Sequence, residues 1–454
     1  MKENYVIAPE RRIPLAGSFD VAVIGGGMAG IVAAVTAARS GLSTVLVEAS
    51  GKPGGIPTSG LLGVVSGSRM ENETCVSGIL AEIRQLVEEA GGIGRREHIW
   101  DPEVLNMVLL DLLTSNGVKT LFFTQLIDAV KEQGCVKHAI IASKSGVEAL
   151  AADLFVDATG DGDLAALAGC PYEKGRPSDG LMQSATLVVK IGGIDRDRAP
   201  ETTPEITAIW REHSYDVPID HAVVSLIDHP NANSEATINM VHVLNFDATS
   251  KEDLTRARFE GTTQAWELLR FFREQVPGFE NAYISQTASQ IGVRESRRFI
   301  GDYMLTEQDL FDGRDFEDEI TRGCWPIDIH NPNGIHHGIG RHLESSYGIP
   351  YRCITPLNIR NLYIAGRPIS ATHEAFSSTR INATCIGIGQ AAGCAAGLAI
   401  EAGDTRKVDV GTLQRILIDQ NVILNHKVVN RIQNINLNKN KESKNEQSKV
   451  QHVS

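Results

Sequence analysis

Near its N-terminus the chain alternates short apolar runs with segments of helical spacing. An apolar run of strand length at residues 21–24 ends in the glycine motif Gly25-x-Gly27-x-x-Gly30. An alanine-rich helical stretch at residues 31–40 follows, and a second apolar run ends at Glu48. Strand, glycine turn, helix, strand and acidic residue in this order are typical of a dinucleotide-binding βαβ unit.

Each residue of this unit has a separate physical role. Gly25 permits the sharp turn, Gly27 lets a pyrophosphate approach the backbone, and Gly30 lets helix and strand pack closely. The amide groups at the start of the helix favour an anion. Glu48 lies where a carboxylate accepts hydrogen bonds from a ribose. By itself, this pattern leaves both NAD and FAD open.

The rest of the chain suggests that this domain is split. Helical periodicity appears at residues 77–90, 103–114 and 385–402, and an apolar run at residues 361–366 predicts another buried strand. Between residues 118 and 156, alternating runs with hairpin-like spacing predict an antiparallel sheet beside the parallel one. Residues from about 180 to 350 contain more charge, histidine and aromatic side chains and few apolar helices. We interpret them as a separate inserted domain.

Composition excludes several classes of function. A net charge of −13 over 454 residues argues against wholesale binding to nucleic acid or to an anionic membrane. The start of the chain lacks the apolar core of a signal peptide, and the long apolar stretches are better explained as buried strand and helix. Seven dispersed cysteines without a CxxC pair suggest reduced thiols in a cytoplasmic protein, and no metal site is expected.

Several segments together resemble one family, the FAD-dependent oxidoreductases of the glutathione-reductase-like fold. They are DVAVIGGGMAGIVAAVTAAR, VLVEASGKPGG, DLFVDATGDGDLAALAG, RESRR, WPIDIH, NLYIAGR and IGIGQAAG. The resemblance covers about residues 13–403 and is not specific to a substrate. It implies FAD as the cofactor, and an α/β fold in which a split Rossmann-like FAD-binding domain, with a parallel sheet and an antiparallel β-meander, holds an inserted α+β substrate domain.

On this basis we divide the chain into five parts. They are 13–178 for the N-terminal part of the FAD-binding domain (with a helical excursion at about 71–117), 179–350 for the substrate or cap domain, 351–403 for the C-terminal part of the FAD-binding domain, 404–433 for a C-terminal helical extension, and 434–454 for a disordered tail.

The resemblance also implies which residues contact FAD. We expect Gly25, Gly27, Ala29 and Gly30 at the pyrophosphate, Glu48 at the adenosine ribose, Gly54 and Gly55 close to the cofactor, Ala158, Thr159 and Gly160 against the adenine half, and Gly366, Arg367, Arg380, Asn382 and Gly389 near the ribityl and flavin parts. Arg367 departs from the many relatives that have an acid there, although a guanidinium can hold a phosphate. The similar pattern Gly160-x-Gly162-x-x-Ala165 is interpreted as a contact to the same FAD, so NAD(P)H should reduce the flavin poorly.

Candidates for the chemistry lie in three places. The first is Arg297, the preferred member of the Arg294–Arg298 cluster, as an anion site; a salt-bridged surface strand is the alternative. The second is Asp328 with His330, since a carboxylate that orients an imidazole is a common base arrangement. The third is His373, in the loop after the last FAD-binding strand; a satisfied structural histidine is the alternative. His336 and His337 are as consistent with an exposed loop as with catalysis.

The predicted function is therefore hydride transfer between flavin N5 and a small polar substrate, by an enzyme of dehydrogenase or oxidase type. Two alternatives stay open: a reductase of an activated C=C bond in a carboxylate substrate, and a non-catalytic flavin electron-transfer module. The sequence carries no expectation about oligomeric state.

Overall fold

The computed structural model describes residues 10, 12–94, 96–213, 215, 226–332 and 341–434. The strands, in chain order, are β1 (Leu15–Ile24), β2 (Thr44–Val47), β3 (Arg69–Met70), β4 (Glu73–Thr74), β5 (Lys119–Leu121), β6 (Gln125–Glu132), β7 (Cys135–Ser143), β8 (Gly146–Asp157), β9 (Tyr172–Lys174), β10 (Val189–Gly192), β11 (Leu226–Asp228), β12 (Ala236–Ile238), β13 (Tyr283–Thr287), β14 (Arg297–Phe299), β15 (Glu319–Gly323), β16 (Tyr347–Pro350) and β17 (Leu362–Ile364). The helices are α1 (Met28–Arg39), α2 (Ile79–Glu89), α3 (Pro102–Ser115), α4 (Asp163–Leu167), α5 (Thr203–Arg211), α6 (Lys251–Gln275), α7 (Glu307–Phe311), α8 (His373–Thr379), α9 (Asn382–Ala402) and α10 (Val410–Asp419).

The main sheet combines parallel strands with an antiparallel meander. Its order is β5-β2-β1-β8-β7-β6, and β17 pairs with the second half of β8. The pairs β1–β2, β1–β8, β2–β5 and β8–β17 are parallel, whereas β6–β7 and β7–β8 are antiparallel. The α/β prediction of a split Rossmann-like sheet with a β-meander is confirmed, because β17 returns to the sheet some 200 residues after β8.

A second, antiparallel sheet belongs to the inserted region. It has the order β11-β12-β10-β13 and packs in a hydrophobic core separate from that of the main sheet. Trp210 and Phe271 lie in this second core with their ring centroids 4.7 Å apart. The sheet is antiparallel throughout, so within the described residues it offers no second dinucleotide-binding βαβ unit.

The inserted region contains one long helix and contributes to both hydrophobic cores. It contains the 25-residue helix α6, although few apolar helices were expected there. The second core, in addition, extends only from Ala185 to Ala288, apart from Leu61. Buried side chains from Phe299 to Ile349 pack in the core of the main sheet instead. Residues 299–349 therefore contribute buried side chains to the core of the main sheet, and the division of the chain at residue 350 stays a prediction.

Helix α9 crosses the interior beside α1. It is long and apolar enough to span a membrane, but 83% of its most apolar window is buried inside the protein, as expected for a core helix. Beyond it, α10 and residues 426–434 are helical. The predicted disordered tail, apart from residue 434, lies outside the described residues, as do His336 and His337.

Candidate active site

The carboxyl ends of four parallel strands meet at one edge of the main sheet. Strands β1, β2, β8 and β17 end immediately before Gly25, Glu48, Ala158 and Ala365. This is where ligands bind in open α/β sheets. The edge opens into a cavity of about 810 Å³.

The glycine motif forms the floor of this cavity. Gly25 has a φ of +103°, and a Cβ there would lie 2.4 Å from the Ala158 carbonyl oxygen. At Gly30 a Cβ would lie 1.9 Å from the Gly25 carbonyl oxygen, so α1 packs directly on the turn. At Gly27, by contrast, a Cβ would meet nothing within 4 Å. Gly27 also forms a parallel bridge with Gly54. The backbone around Gly27 therefore presents an open surface at the start of α1.

Glu48 closes the side of this cradle. Its carboxylate accepts hydrogen bonds from the amides of Gly26 and Ser50, both at 2.6 Å, and it lines the cavity. These two bonds fix the carboxylate beside the glycine turn, where a ribose diol would lie if a dinucleotide were bound along the strand ends.

The cavity continues to a group of polar side chains between the two domains. Asp328 Oδ2 lies 3.4 Å from His330 Nε2 and 3.5 Å from an Arg380 nitrogen. Arg294 lines the same cavity, and one of its terminal nitrogens donates to the Ser184 carbonyl oxygen at 2.8 Å. Two arginines, a carboxylate and an imidazole thus share one wall.

Burial and mutual electrostatics shift the pKa values in this group. Burial, and secondly Arg294, lower the pKa of His330 to about 3. Burial, and secondly Arg380, lower the pKa of Arg294 to about 9. Burial opposes ionisation of Asp328, but the hydrogen bond from His330 and the nearby guanidiniums outweigh it and hold its pKa below the usual range. At neutral pH the imidazole is therefore uncharged, and the other three groups are charged.

A model of the FAD dependent oxidoreductase family matches residues 20–417 of the chain. The chain belongs to the FAD-dependent oxidoreductase family. This membership makes FAD the cofactor and oxidation or reduction the class of reaction. No curated protein sequence matches the chain significantly.

The FAD-dependent oxidoreductase is also similar to several solved structures. A geranylgeranyl bacteriochlorophyll reductase-like protein from Thermoplasma acidophilum is 15% identical, with 89% of this chain and 84% of that chain covered and a TM-score of 0.46. A flavin-dependent brominase is 14% identical, with 89% and 84% covered and a TM-score of 0.43. The L-proline dehydrogenase of P. horikoshii is 12% identical, with 90% and 100% covered and a TM-score of 0.41.

The cradle of this FAD-dependent oxidoreductase fits FAD. The open face of Gly27, the amides at the start of α1 and the carboxylate of Glu48 provide the donors, the acceptor and the close approach that a dinucleotide requires. Most of the predicted cofactor residues line the cavity, namely Gly25, Gly27, Ala29, Glu48, Gly54, Gly55, Ala158, Thr159, Gly160, Gly366, Arg367, Arg380 and Asn382. Their individual contacts with FAD stay predictions.

Two of the predicted cofactor residues, Gly30 and Gly389, pack against protein backbone. Gly30 supports the turn from below, as its role in helix–strand packing required. At Gly389 a Cβ would lie 2.3 Å from the Ala29 carbonyl oxygen, so this glycine lets α9 approach α1 and lies away from the cavity. A contact between Gly389 and FAD stays a prediction.

Arg367 links the two domains across the cavity wall. It donates from Nε to the Gly160 carbonyl oxygen at 2.9 Å, and its terminal nitrogens contact Asp161 and the Val293 carbonyl oxygen. Since three of its N–H groups are directed at the protein, Arg367 holds the loop after β8 against the segment that leads to Arg294.

Two of the predicted catalytic residues lie outside the cavity. Arg297 bonds Asp163 at 2.8 Å and the Asp161 carbonyl oxygen at 2.9 Å. His373 is 3% exposed, and its Nδ1 lies 2.9 Å from the buried carboxylate of Glu295. Because Glu295 is also paired with Arg298, the residues His373, Glu295 and Arg298 form a buried polar cluster. Asp328 and His330 line the cavity, whereas Arg297 and His373 do not. The catalytic roles of all four residues stay predictions.

Sequence reasoning missed most of the inserted domain's contribution to the site. Thr186, Asn239 and Gln290 line the cavity from separate segments of that domain. Each is an isolated polar residue with no motif around it, so no local signal could have found it. Arg294 belongs to the dense arginine cluster that was identified in the sequence. Arg297 was the preferred member of that cluster, whereas Arg294 lines the cavity.

Proposed function

We propose that the protein transfers a hydride between N5 of FAD and a small polar substrate, with His330 exchanging a proton with the substrate. The observation that carries this proposal is that the Asp328–His330 pair and the glycine cradle line one cavity. FAD, when bound, supplies the hydride chemistry, and the protein must hold the substrate, exclude water and move one proton.

His330 suits the proton-transfer role because it is neutral at physiological pH. A neutral imidazole has one basic nitrogen, and a carboxylate near Nε2 favours a proton on that nitrogen, which makes Nδ1 the basic one. Asp328 also stabilises the imidazolium formed when His330 accepts a proton. The ring of His242 is a neighbour of this imidazole, with its centroid 5.8 Å from that of His330.

Two further assignments rest on separate observations. The meander β6–β7–β8, which extends the parallel sheet with antiparallel strands beyond β8, supports placement in the glutathione-reductase-like group. The seven cysteines are all free thiols, which supports a reducing, cytoplasmic location.

The test compares two histidine variants in anaerobic stopped-flow experiments. Oxidised holoenzyme is mixed with polyols, hydroxy acids and amines, and bleaching of the flavin identifies a reductant. With that compound, His330→Gln should reduce the flavin at least ~100-fold more slowly at unchanged FAD content. The matched control is His138→Gln, on β7 in the meander and outside the cavity, which should react at the wild-type rate.

Three results contradict the proposal. One is an unchanged rate of flavin reduction in His330→Gln. The second is that no compound bleaches the flavin while the reduced protein is reoxidised by activated enoates, which identifies a C=C reductase. The third is that the reduced flavin passes electrons only to another protein, which identifies a carrier.

A further inference from the structure

We propose that Arg294 and Arg380 bind a carboxylate group of the substrate. Both guanidiniums line the cavity beside Asp328 and His330, and Arg294 is only 7% exposed. The inference rests on the proposed function, because it places the anionic end of the substrate next to the residue that exchanges its proton.

The first argument compares the ion-pair partners of the buried arginines. The arginines buried to more than nine-tenths in the described part of the chain are Arg294, Arg298 and Arg322. Arg298 pairs with Glu295, and Arg322 pairs with Glu319 at 3.0 Å, in each case a fully buried carboxylate three residues earlier. Arg294 has no such partner among the described residues, and its protein hydrogen bond goes to a backbone carbonyl oxygen. Asp328 acts on Arg294 only from beyond salt-bridge distance and is in contact with Arg380 instead. A buried charge without a counter-ion in contact is costly, so a ligand anion supplies the missing contact.

The second argument is the local charge. Arg294 and Arg380 contribute two positive charges, Asp328 one negative charge, and His330 is neutral. These four groups therefore carry a net charge of +1, and the guanidinium of Arg380 lowers the pKa of Arg294. A monoanion between them relieves this repulsion, and a planar carboxylate matches the fork of a guanidinium. Because a dianionic phosphate would exceed the available charge, a carboxylate is favoured.

The third argument connects binding with chemistry. Burial lowers the pKa of His330 most, and the positive charge of Arg294 has the second-largest lowering effect. An anion bound to Arg294 cancels that contribution, so the imidazole becomes a stronger base when a carboxylate substrate is in place. The nitrogen Arg380 Nε, which is buried without a hydrogen-bond partner in the described part of the protein, is a further donor available to the anion.

The experiment measures binding without turnover. Oxidised holoenzyme is titrated with propionate, with its neutral analogue propionamide and with inorganic phosphate, and the flavin absorption spectrum reports occupancy. Propionate should bind at least ~10-fold more tightly than propionamide, in the range for charge-assisted hydrogen bonds, and more tightly than phosphate. In Arg294→Gln this preference should fall to within about twofold.

Two further variants keep the result interpretable. Arg297→Gln, which removes a guanidinium outside the cavity, should retain the preference for propionate. Arg294→Lys retains the charge but not the fork, and should keep part of the preference even if Arg294→Gln fails to fold.

The proposal is overturned by equal affinity for propionate and propionamide in the wild-type protein, by tighter binding of phosphate, or by a carboxylate preference that survives in both Arg294 variants. It is also overturned if Arg294→Gln shifts the flavin reduction potential while the wild-type protein shows no carboxylate preference, because the guanidiniums then serve the reduced flavin. Since the flavin stays oxidised during the titrations, the binding outcomes are independent of the His330 rate test.

Discussion

Replacing Gly27 with alanine should separate cofactor binding from folding. Gly27 lies in extended backbone at the start of α1, with φ −70° and ψ 175°, which alanine adopts without strain. A Cβ there would meet no protein atom within 4 Å, and it would enter the space assigned to the pyrophosphate. The variant should therefore fold normally and bind FAD poorly.

The expected change in stability is small because two effects oppose each other. Alanine restricts the unfolded chain and stabilises the folded state by about 0.4–1 kcal/mol. Alanine is also a poorer helix N-cap than glycine, at a cost of roughly 0.5–1 kcal/mol. The net change should lie within ~1 kcal/mol, which moves the Tm of a domain of this size by no more than about 2–4 °C.

Gly30→Ala provides the matched contrast three residues away. Its Cβ would lie 1.9 Å from the Gly25 carbonyl oxygen and 3.0 Å from Ala158 Cβ. A backbone oxygen in a tight turn cannot yield, so the cost should reach the upper end of the roughly 1–3 kcal/mol range for overpacking.

The assay has two readouts on each apoprotein: thermal melting followed by circular dichroism, and FAD affinity from quenching of flavin fluorescence. The melting temperature of Gly27→Ala should be close to that of the wild-type apoprotein. Its affinity for FAD should be at least ~10-fold weaker, equivalent to about 1.4 kcal/mol. Gly30→Ala should melt clearly lower. Wild-type FAD affinity in Gly27→Ala would refute our assignment of the pyrophosphate position, and equal melting temperatures for the two variants would refute the packing argument.

Two predictions concern stability elsewhere. Because the pKa of His330 is lowered in the folded state from about 6.5, the unfolded chain binds more protons between about pH 6.5 and pH 3, and stability falls as the pH falls through this window. Urea denaturation should show that His330→Gln loses ~2 kcal/mol less than the wild type between pH 7 and pH 5; equal losses would contradict the lowered pKa. Asn425 donates to the buried Glu319 carboxylate from its backbone at 2.8 Å and its side chain at 2.9 Å. Asn425→Ala should destabilise the protein by about 1–3 kcal/mol in the same assay, and the exposed neighbour Lys427→Ala should not; equal effects would show that the C-terminal segment does not depend on this contact.

The cofactor half of the site was predictable because its signal is local. Gly25, Gly27 and Glu48 are parts of one contiguous βαβ unit, and each has a backbone or charge requirement that restricts the residue type. The helices at residues 77–90 and 103–114 were found from apolar periodicity, and they agree with α2 and α3 to within two residues. Local patterns of this kind survive folding because β1 and α1 must pack on each other wherever the rest of the chain lies.

Helix α6 was missed although a signal for it exists. Ser250 caps its first turn by accepting from the Asp253 amide, and small or apolar residues follow with helical spacing at Ala257, Gly261, Leu268 and Phe272. The many charged residues between them obscured the pattern. An amphipathic helix with a narrow buried face requires the periodicity to be counted explicitly, because its average composition resembles that of a loop.

By itself, the amino-acid sequence determined the dinucleotide cradle, the class of fold and the residue types available for catalysis. The tertiary structure alone decided which of them face the cavity. Arg294 and Arg297 are three residues apart, yet one lines the cavity while the other is held by Asp163. His373 is paired with Glu295, 78 residues away in the chain. The direction of a charged side chain depends on counter-ions supplied by distant segments, and such pairings leave no periodic trace in the sequence.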